Sequence, residues 1–226
     1  MLANIDFVWQ SMSMNPNWAE ENLQTIRTLM ERSALYRRAL APIVTFNGVL
    51  GTLAAIAGVM AGVGTPRAFL GYWMLVALLA VSGSFLLVRR QALKDAEPFW
   101  SPPTRRVAQG MLPPLAAGGA LGLIVLARVA ADEPAIARVI TMLWLPLAWV
   151  VLYGCALCAA GFFTPRGMKI FGAAFILGGC ALFALGIPDD VPRIYCAHGI
   201  MGFFFGVLHL AYGAYLYLTE KGQNAA

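Results

Sequence analysis

The sequence predicts an all-α polytopic membrane protein with six transmembrane helices and a short N-terminal amphipathic cytoplasmic helix. Of its 226 residues, 60% are hydrophobic and only 12% are charged, whereas soluble domains have roughly 45–50% apolar and about 25% charged residues. A water-soluble globule with so little charge could not cover its surface with polar groups. The chain also contains six apolar stretches, each long enough to cross a bilayer as a helix, which takes about 20 residues.

These six stretches define the domain organisation. Helices are required because every backbone amide in hydrocarbon must be paired within its own segment, and turn residues such as Gly64-Thr65-Pro66-Arg67 separate the stretches. We expect a transmembrane domain over residues 40–218, an N-terminal segment over 1–39 and a cytoplasmic tail over 219–226. The predicted spans are Leu40–Val63, Ala68–Val88, Val107–Val129, Ile136–Ala160, Met168–Ile187 and Ile194–Leu218.

The N-terminal segment has the pattern of an amphipathic helix. At about 100° per residue, Leu23, Ile26 and Met30 fall on one side of the helix, and polar residues fall on the other. Arg37 and Arg38 then precede the first span. This pattern is typical of an interfacial helix that lies on lipid headgroups, and a helix that docks on a partner protein is the alternative.

The distribution of lysine and arginine predicts the orientation. Twelve of the 16 basic residues lie in the N-terminal segment, the second and fourth connections and the tail, and four lie in the other connections. Because basic residues are concentrated on the cytoplasmic side, this asymmetry places both termini in the cytoplasm. It also explains the net charge of +5 without a nucleic-acid partner.

Glycine patterns predict close helix packing. Gly58-x-x-x-Gly62 and Gly118-x-x-x-Gly122 are small-xxx-small motifs. A helix-contact face is also expected on the last span, where four glycines cluster on one side of a helical wheel. A neighbouring helix is the expected partner of this face, with a symmetry mate or a flat cofactor as alternatives. The four residues are Gly199, Gly202, Gly206 and Gly213.

The two histidines of the chain, His198 and His209, lie on the same span. Their separation of 11 residues corresponds to about 20° of rotation and 16 Å of rise in an α-helix. We therefore expect both rings to project along the glycine face at two depths. Structural hydrogen bonding is the favoured role, and ligand binding or proton handling is an alternative. No cofactor and no metal are predicted, although haem b could use one histidine together with a second axial ligand from elsewhere.

Prolines at membrane depth predict interruptions of individual spans. Pro113 and Pro114 are expected to kink or open the third span, and Pro146 is expected to perturb the fourth. Carbonyls freed by proline need polar partners or a wet cavity. The sequence therefore offers Asn47, these prolines and His209 as candidate cavity residues.

A short internal repeat raises the hypothesis of transport. Thr65-Pro66-Arg67 and Thr164-Pro165-Arg166 follow the first and fourth spans, 99 residues apart. Two three-span units would then be inverted in topology, as in many transporters.

Catalytic patterns are missing from the sequence. The predicted spans contain no acidic residue for a proton relay, and no Walker A, GxSxG or HExxH motif occurs. Cys155-x-x-Cys158 lies on an apolar span, where cysteine serves as a small apolar filler. No enzyme activity and no catalytic residue are therefore predicted.

Two stretches carry a resemblance to known sequences. Glu21–Arg38, with the sequence ENLQTIRTLMERSALYRR, and Phe205–Tyr215, with the sequence FGVLHLAYGAY, resemble segments of an uncharacterised family of small bacterial inner-membrane proteins with six spans. The resemblance implies a bacterial inner-membrane location and a similar topology. It implies no catalytic residues.

These observations favour a non-catalytic integral membrane protein that acts through assembly. It would contact the bilayer and work as a homo-oligomer or as an accessory subunit. A small-solute or lipid transporter or channel is the alternative, and a haem-binding electron-transfer protein is the third hypothesis.

Overall fold

The fold is all-helical, as predicted. A computed structural model describes residues 16–94, 100, 102–129, 139–164, 166–186 and 192–223. No β-strand occurs in these ranges. The elements are α1 (Pro16–Met60), α2 (Pro66–Lys94), α3 (Pro102–Arg128), π1 (Ile140–Trp144), α4 (Leu145–Ala160), α5 (Arg166–Leu185), α6 (Arg193–Met201), π2 (Gly202–Val207) and α7 (Leu208–Gln223).

Six stretches of these helices are long and apolar enough to cross a membrane, so the chain is a multi-pass membrane protein. They are numbered spans 1 to 6 below. The second span continues to Lys94, beyond the predicted end at Val88, because its last turns remain helical although they are basic. The spans are Leu40–Met60, Pro66–Lys94, Thr104–Arg128, Ile140–Ala160, Gly167–Leu185 and Arg193–Thr219.

The chain divides into two compact units, residues 1–38 and residues 39–226. In the first unit, the helix α1 begins at Pro16, and the Leu23 side chain is 66% exposed. The side chains of Ile26, Met30, Arg37 and Arg38, on which the predicted amphipathic surface also depends, lie outside the described residues.

Two apolar clusters hold the second unit together. One joins spans 1, 4, 5 and 6 around residues such as Val150 and Phe175, which are fully buried. The other joins spans 1, 2, 4 and 6 around Phe69 and Trp73. The spans contribute unequally, since half of the apolar stretch of span 4 and 44% of that of span 6 are buried, against 6% for span 2 and 11% for span 3.

Small residues bring spans 1 and 6 into close contact. A Cβ atom on Gly206 would lie 2.8 Å from the backbone nitrogen of Thr52, and one on Gly202 would lie 2.6 Å from the Cβ of Ala55. Gly213 similarly faces Thr45. Three of the four glycines predicted as a contact face are therefore covered by a helix of the same chain. Gly199 is different, since no atom lies within 4 Å of its Cβ position.

Span 1 ends in a glycine-based cap. Gly62 has a φ of +64°, and its N–H donates to the carbonyl of Val59 while the N–H of Val63 donates to the carbonyl of Gly58. This pair of bonds is the Schellman motif, in which a left-handed residue satisfies the last carbonyls of a helix. The cap fixes the direction of the Val63 carbonyl, which the functional site uses.

The prolines have different effects in the third and fourth spans. Helix α3 continues through Pro113 and Pro114, so the span does not open there, and the kink that was the other expectation stays a prediction. In span 4, the π-helical turn π1 ends two residues before Pro146, and the N–H of Leu145 donates to the carbonyl of Ile140. Proline has no N–H and its ring crowds the carbonyl four residues earlier, which accounts for the wider turn at this point.

Candidate functional site: two buried histidines of span 6

His198 is completely buried where spans 1, 2 and 6 meet. Its Nδ1 atom lies 3.2 Å from the indole nitrogen of Trp73, and its Nε2 atom lies 3.1 Å from the carbonyl oxygen of Val63. Phe69 packs edge-on against the ring, with the two ring centroids 5.1 Å apart. Gly58 completes the pocket, because the imidazole lies where a Cβ on that residue would be.

The partners of His198 define its hydrogen-bonding state. An indole N–H can only donate and a backbone carbonyl can only accept. Nδ1 therefore accepts from Trp73, and Nε2–H donates to Val63, which requires a neutral imidazole with its proton on Nε2. Both ring nitrogens are engaged within the chain.

His209 is the second buried histidine, 1% exposed and surrounded by spans 4 and 5. Its Nδ1 atom lies 3.0 Å from the carbonyl oxygen of Phe204, and its Nε2 atom lies 2.9 Å from the Tyr153 hydroxyl. Because the carbonyl accepts, Nδ1 carries the proton. In the neutral ring Nε2 has no proton, and it accepts a hydrogen bond from the Tyr153 hydroxyl. The two histidines thus hold opposite tautomers.

An aromatic shell encloses the His209–Tyr153 pair. Phe171 and Phe175 present their edges to the imidazole, at centroid distances of 5.1 and 5.5 Å, and Phe205 stacks on it at 6.2 Å. Such a shell keeps water away from the pair, and hydrogen bonds in an apolar environment are electrostatically stronger than in water. The arrangement locks three spans together around one polar contact.

The two imidazoles do not share one face, which corrects the prediction. His198 faces spans 1 and 2, whereas His209 faces spans 4 and 5. The turn π2 lies between them, and the N–H of Leu208 donates to the carbonyl of Phe203, five residues earlier. A turn closed by such bonds contains more residues than an α-helical turn. The calculation of about 20° between the rings assumed an uninterrupted α-helix.

The candidate cavity residues also have separate environments. The Nδ2 group of Asn47 donates a hydrogen bond to the Ser84 hydroxyl at 3.1 Å, and its Oδ1 atom accepts one from that hydroxyl at 3.2 Å. This pair of bonds joins spans 1 and 2. Pro146 is fully buried and Pro113 is exposed. Pro114 is half-buried. No contact among the described residues brings these side chains and His209 into one polar cavity.

A groove between spans 5 and 6 opens at Gly199. Its lining is apolar, with small residues on both sides that make room for it. The lining residues are Gly178, Ala181, Leu182, Gly199, Ile200, Phe203 and Phe204.

The histidine, cysteine and acidic side chains that the structure describes form neither a metal-binding cluster nor a disulfide. No group of three or more His, Cys, Asp or Glu side chains is placed to hold a metal ion there. No disulfide joins the four cysteines, all of which are described. Cys158 directs its thiol toward the Lys169 carbonyl, at 3.7 Å, in the packing between spans 4 and 5.

The most important partners of the histidines were not singled out by the sequence. Trp73 and Tyr153 are polar-tipped aromatics in apolar spans, and such side chains need a hydrogen-bond partner when buried. That signal is present in the sequence, but it does not say which histidine each residue meets. The Val63 carbonyl carries no side-chain signal at all.

The two repeated turn motifs differ in their hydrogen bonds. Thr65 accepts the N–H of Ala68 on its hydroxyl and so caps the start of α2, at 3.3 Å. Thr164 instead donates its hydroxyl back to the carbonyl of Ala160 in the preceding helix, at 3.1 Å. The two threonines thus make different hydrogen bonds, although the two motifs have the same sequence.

Comparison of the chain with models of known families, with curated proteins and with solved structures gives no match. The resemblance to a bacterial membrane-protein family therefore stays a prediction. What the fold itself establishes is a multi-pass membrane protein with six apolar helices.

Proposed function

We propose that this chain is a non-catalytic subunit of a bacterial inner-membrane assembly, with both termini in the cytoplasm and with copies of itself as its first partners. The observation that carries the proposal is the low burial of spans 2 and 3, at 6% and 11%. These two spans expose large apolar side chains at membrane depth, here called the span 2–3 surface. It comprises Leu75, Leu78, Val81, Leu123 and Ile124, which are 56–61% exposed.

The hydrogen bonds of the two buried histidines support a structural role for these side chains. Both histidines have partners on each ring nitrogen, so a ligand would first have to displace Trp73, Val63, Tyr153 or Phe204. Haem ligation through His209 would break its bond to Tyr153. The observed pairing favours interhelical hydrogen bonding, which holds membrane helices together.

A transporter is supported less well. Equivalent spans of two inverted repeats should have similar environments, yet the buried shares are 6% for span 2 against 28% for span 5, and 11% for span 3 against 44% for span 6. The repeated threonines also make different hydrogen bonds. The groove between spans 5 and 6 is apolar and offers no polar site for a solute.

The proposal is tested by counting subunits. The full chain is tagged with a fluorescent protein at its C-terminus, and single-molecule photobleaching in dilute vesicles gives the number of copies per particle. We expect more than one copy for the unaltered chain. Leu78→Trp, on the span 2–3 surface, is expected to shift the particles toward single copies because the larger indole side chain disturbs close packing between subunits.

Leu177→Trp is the matched control. Leu177 is 69% exposed on span 5, and Leu78 is 61% exposed, so both changes add the same ring at an exposed leucine. We expect the control to keep the copy number of the unaltered chain. Single copies for the unaltered chain, without a co-purifying membrane protein, would contradict assembly. Equal effects of the two substitutions would contradict the assigned surface.

A further inference from the structure

Five basic side chains surround one end of the α2–α3 hairpin. Three belong to the last two turns of α2 and two to the first turns of α3, and all five are exposed. Trp100, between the helices, is 57% exposed. We call this set the basic hairpin end; it comprises Arg89, Arg90, Lys94, Arg105 and Arg106.

Helix length places these side chains at the membrane surface. Helix α2 has 29 residues, which corresponds to about 43 Å at 1.5 Å per residue. The hydrocarbon core of a bilayer is about 30 Å thick. The last turns of α2, with Arg89, Arg90 and Lys94, therefore extend into the headgroup region. Leu86 and Leu93, on the same turns, are 60% and 74% exposed and offer an apolar surface beside the charges.

The chemistry of this surface matches an anionic phospholipid. Residues 89–106 contain five basic residues and two acidic ones, Asp95 and Glu97, which lie outside the described residues. Guanidinium groups bind phosphate oxygens in pairs of parallel hydrogen bonds, and the hairpin presents two adjacent arginine pairs, one on each helix. Clusters of four to eight basic residues next to a membrane helix attract anionic lipid.

We propose that the basic hairpin end is a binding site for the headgroup phosphates of anionic phospholipids, with acyl chains alongside Leu86 and Leu93. The site is independent of subunit assembly, because it uses the charged end of the hairpin and leaves the mid-membrane residues of the span 2–3 surface uninvolved. It is also distinct from general attraction to the bilayer, since it requires preference for an anionic headgroup.

Native mass spectrometry of the full chain in mild detergent tests this site. Phosphatidylglycerol and phosphatidylcholine of identical acyl chains are titrated separately, and the fraction of lipid-bound protein gives each dissociation constant. We expect tighter binding of phosphatidylglycerol. Arg89→Gln/Arg90→Gln and Arg105→Gln/Arg106→Gln are each expected to weaken it roughly thirtyfold, because each variant removes two nearby basic residues that contribute about 1 kcal/mol each. Binding of phosphatidylcholine should change little.

Two controls separate the site from net charge. Arg67→Gln/Arg128→Gln removes two exposed arginines from the opposite ends of spans 2 and 3 and should leave phosphatidylglycerol binding unchanged. Arg89→Lys/Arg90→Lys keeps the charge and should retain most of the affinity. Unchanged helicity by circular dichroism establishes that each variant is folded. Equal binding of the two lipids, or an equal loss in Arg67→Gln/Arg128→Gln, would overturn the proposal.

Discussion

The imidazole of His198 occupies the space that a Cβ atom on Gly58 would need. Span 1 can therefore approach span 6 closely, because Gly58 has no side chain at this point. The same imidazole is hydrogen-bonded to Trp73 on span 2 and to the Val63 carbonyl after span 1. The small-xxx-small motif at Gly58 and Gly62 thus serves two purposes. Its first glycine admits an aromatic ring, and its second closes the helix with a left-handed residue.

Gly58→Ala should destabilise the bundle. The added methyl would meet the His198 ring, which is bonded on both sides and cannot move without losing a hydrogen bond. Overpacking of this kind typically costs about 1–3 kcal/mol. We expect a lower Tm in a thermal-shift measurement in detergent. Gly71→Ala is the control, because its Cβ position has no atom within 4 Å, and an unchanged Tm for Gly58→Ala would argue against the described contact.

Two glycines of span 6 should respond differently to the same substitution. At Gly206 a Cβ would lie 2.8 Å from the backbone nitrogen of Thr52, and backbone cannot move aside cheaply, so Gly206→Ala should lower the Tm. Gly199→Ala meets open space and should leave the Tm unchanged or raise it, because alanine is favoured over glycine in a helix by roughly 0.5–1 kcal/mol. A similar loss at both positions would contradict close packing of spans 1 and 6 at Gly206.

The Tyr153–His209 bond should appear as a coupling energy between the two residues. Tyr153→Phe removes only the hydroxyl and leaves Nε2 of His209 without a donor. Interhelical hydrogen bonds in membranes contribute about 0.6 kcal/mol on average and up to about 1.7. We expect a loss in this range for Tyr153→Phe alone, measured as free energy of unfolding in mixed micelles.

The double-mutant cycle supplies the control for that bond. In a His209→Leu background, Tyr153→Phe should cost much less, because the partner nitrogen is already gone. Full additivity of the two substitutions would mean that the pair is not coupled, and the bond would then have no energetic role.

The orientation deduced from lysine and arginine predicts which loops face outward. In a variant whose four cysteines are replaced by alanine, Arg67→Cys should react with a membrane-impermeant maleimide in intact cells. Lys94→Cys should react only after the membrane is permeabilised. The two positions lie near opposite ends of α2, so they cannot be labelled from the same side. The reverse pattern would invert the topology.

Much of the fold could be predicted from the sequence. Hydrocarbon demands long apolar runs with internally paired backbones, so composition and run length alone predict spans such as Ile136–Ala160. The structure describes this span as Ile140–Ala160. Close packing at Gly206 and Gly213 follows similarly from side-chain size. Such patterns are local, and they do not depend on which helices become neighbours.

The histidine sites could not be predicted to the same extent. The partners of His198 and His209 depend on the turn π2, in which hydrogen bonding spans five residues instead of four. The segment contains no proline that would indicate this turn in the sequence. The sequence likewise does not indicate that helix α3 continues through Pro113 and Pro114. Proline marks a cost in backbone bonding, but surrounding packing decides whether the helix opens.

The turn π2 also affects which sequence changes span 6 can accept. A wide turn of this kind holds one more residue than the regular helix needs, so deletion of a single residue between Gly202 and Val207 would allow ordinary helical bonding to return. The residues after the deletion would keep nearly the orientation that they have now, because loss of the wide turn offsets the roughly 100° that one residue contributes, and His209 would still face Tyr153. An insertion in the same hexapeptide has no such compensation and should turn His209 about 100° away from Tyr153. Span 6 should therefore accept a shorter segment here far better than a longer one.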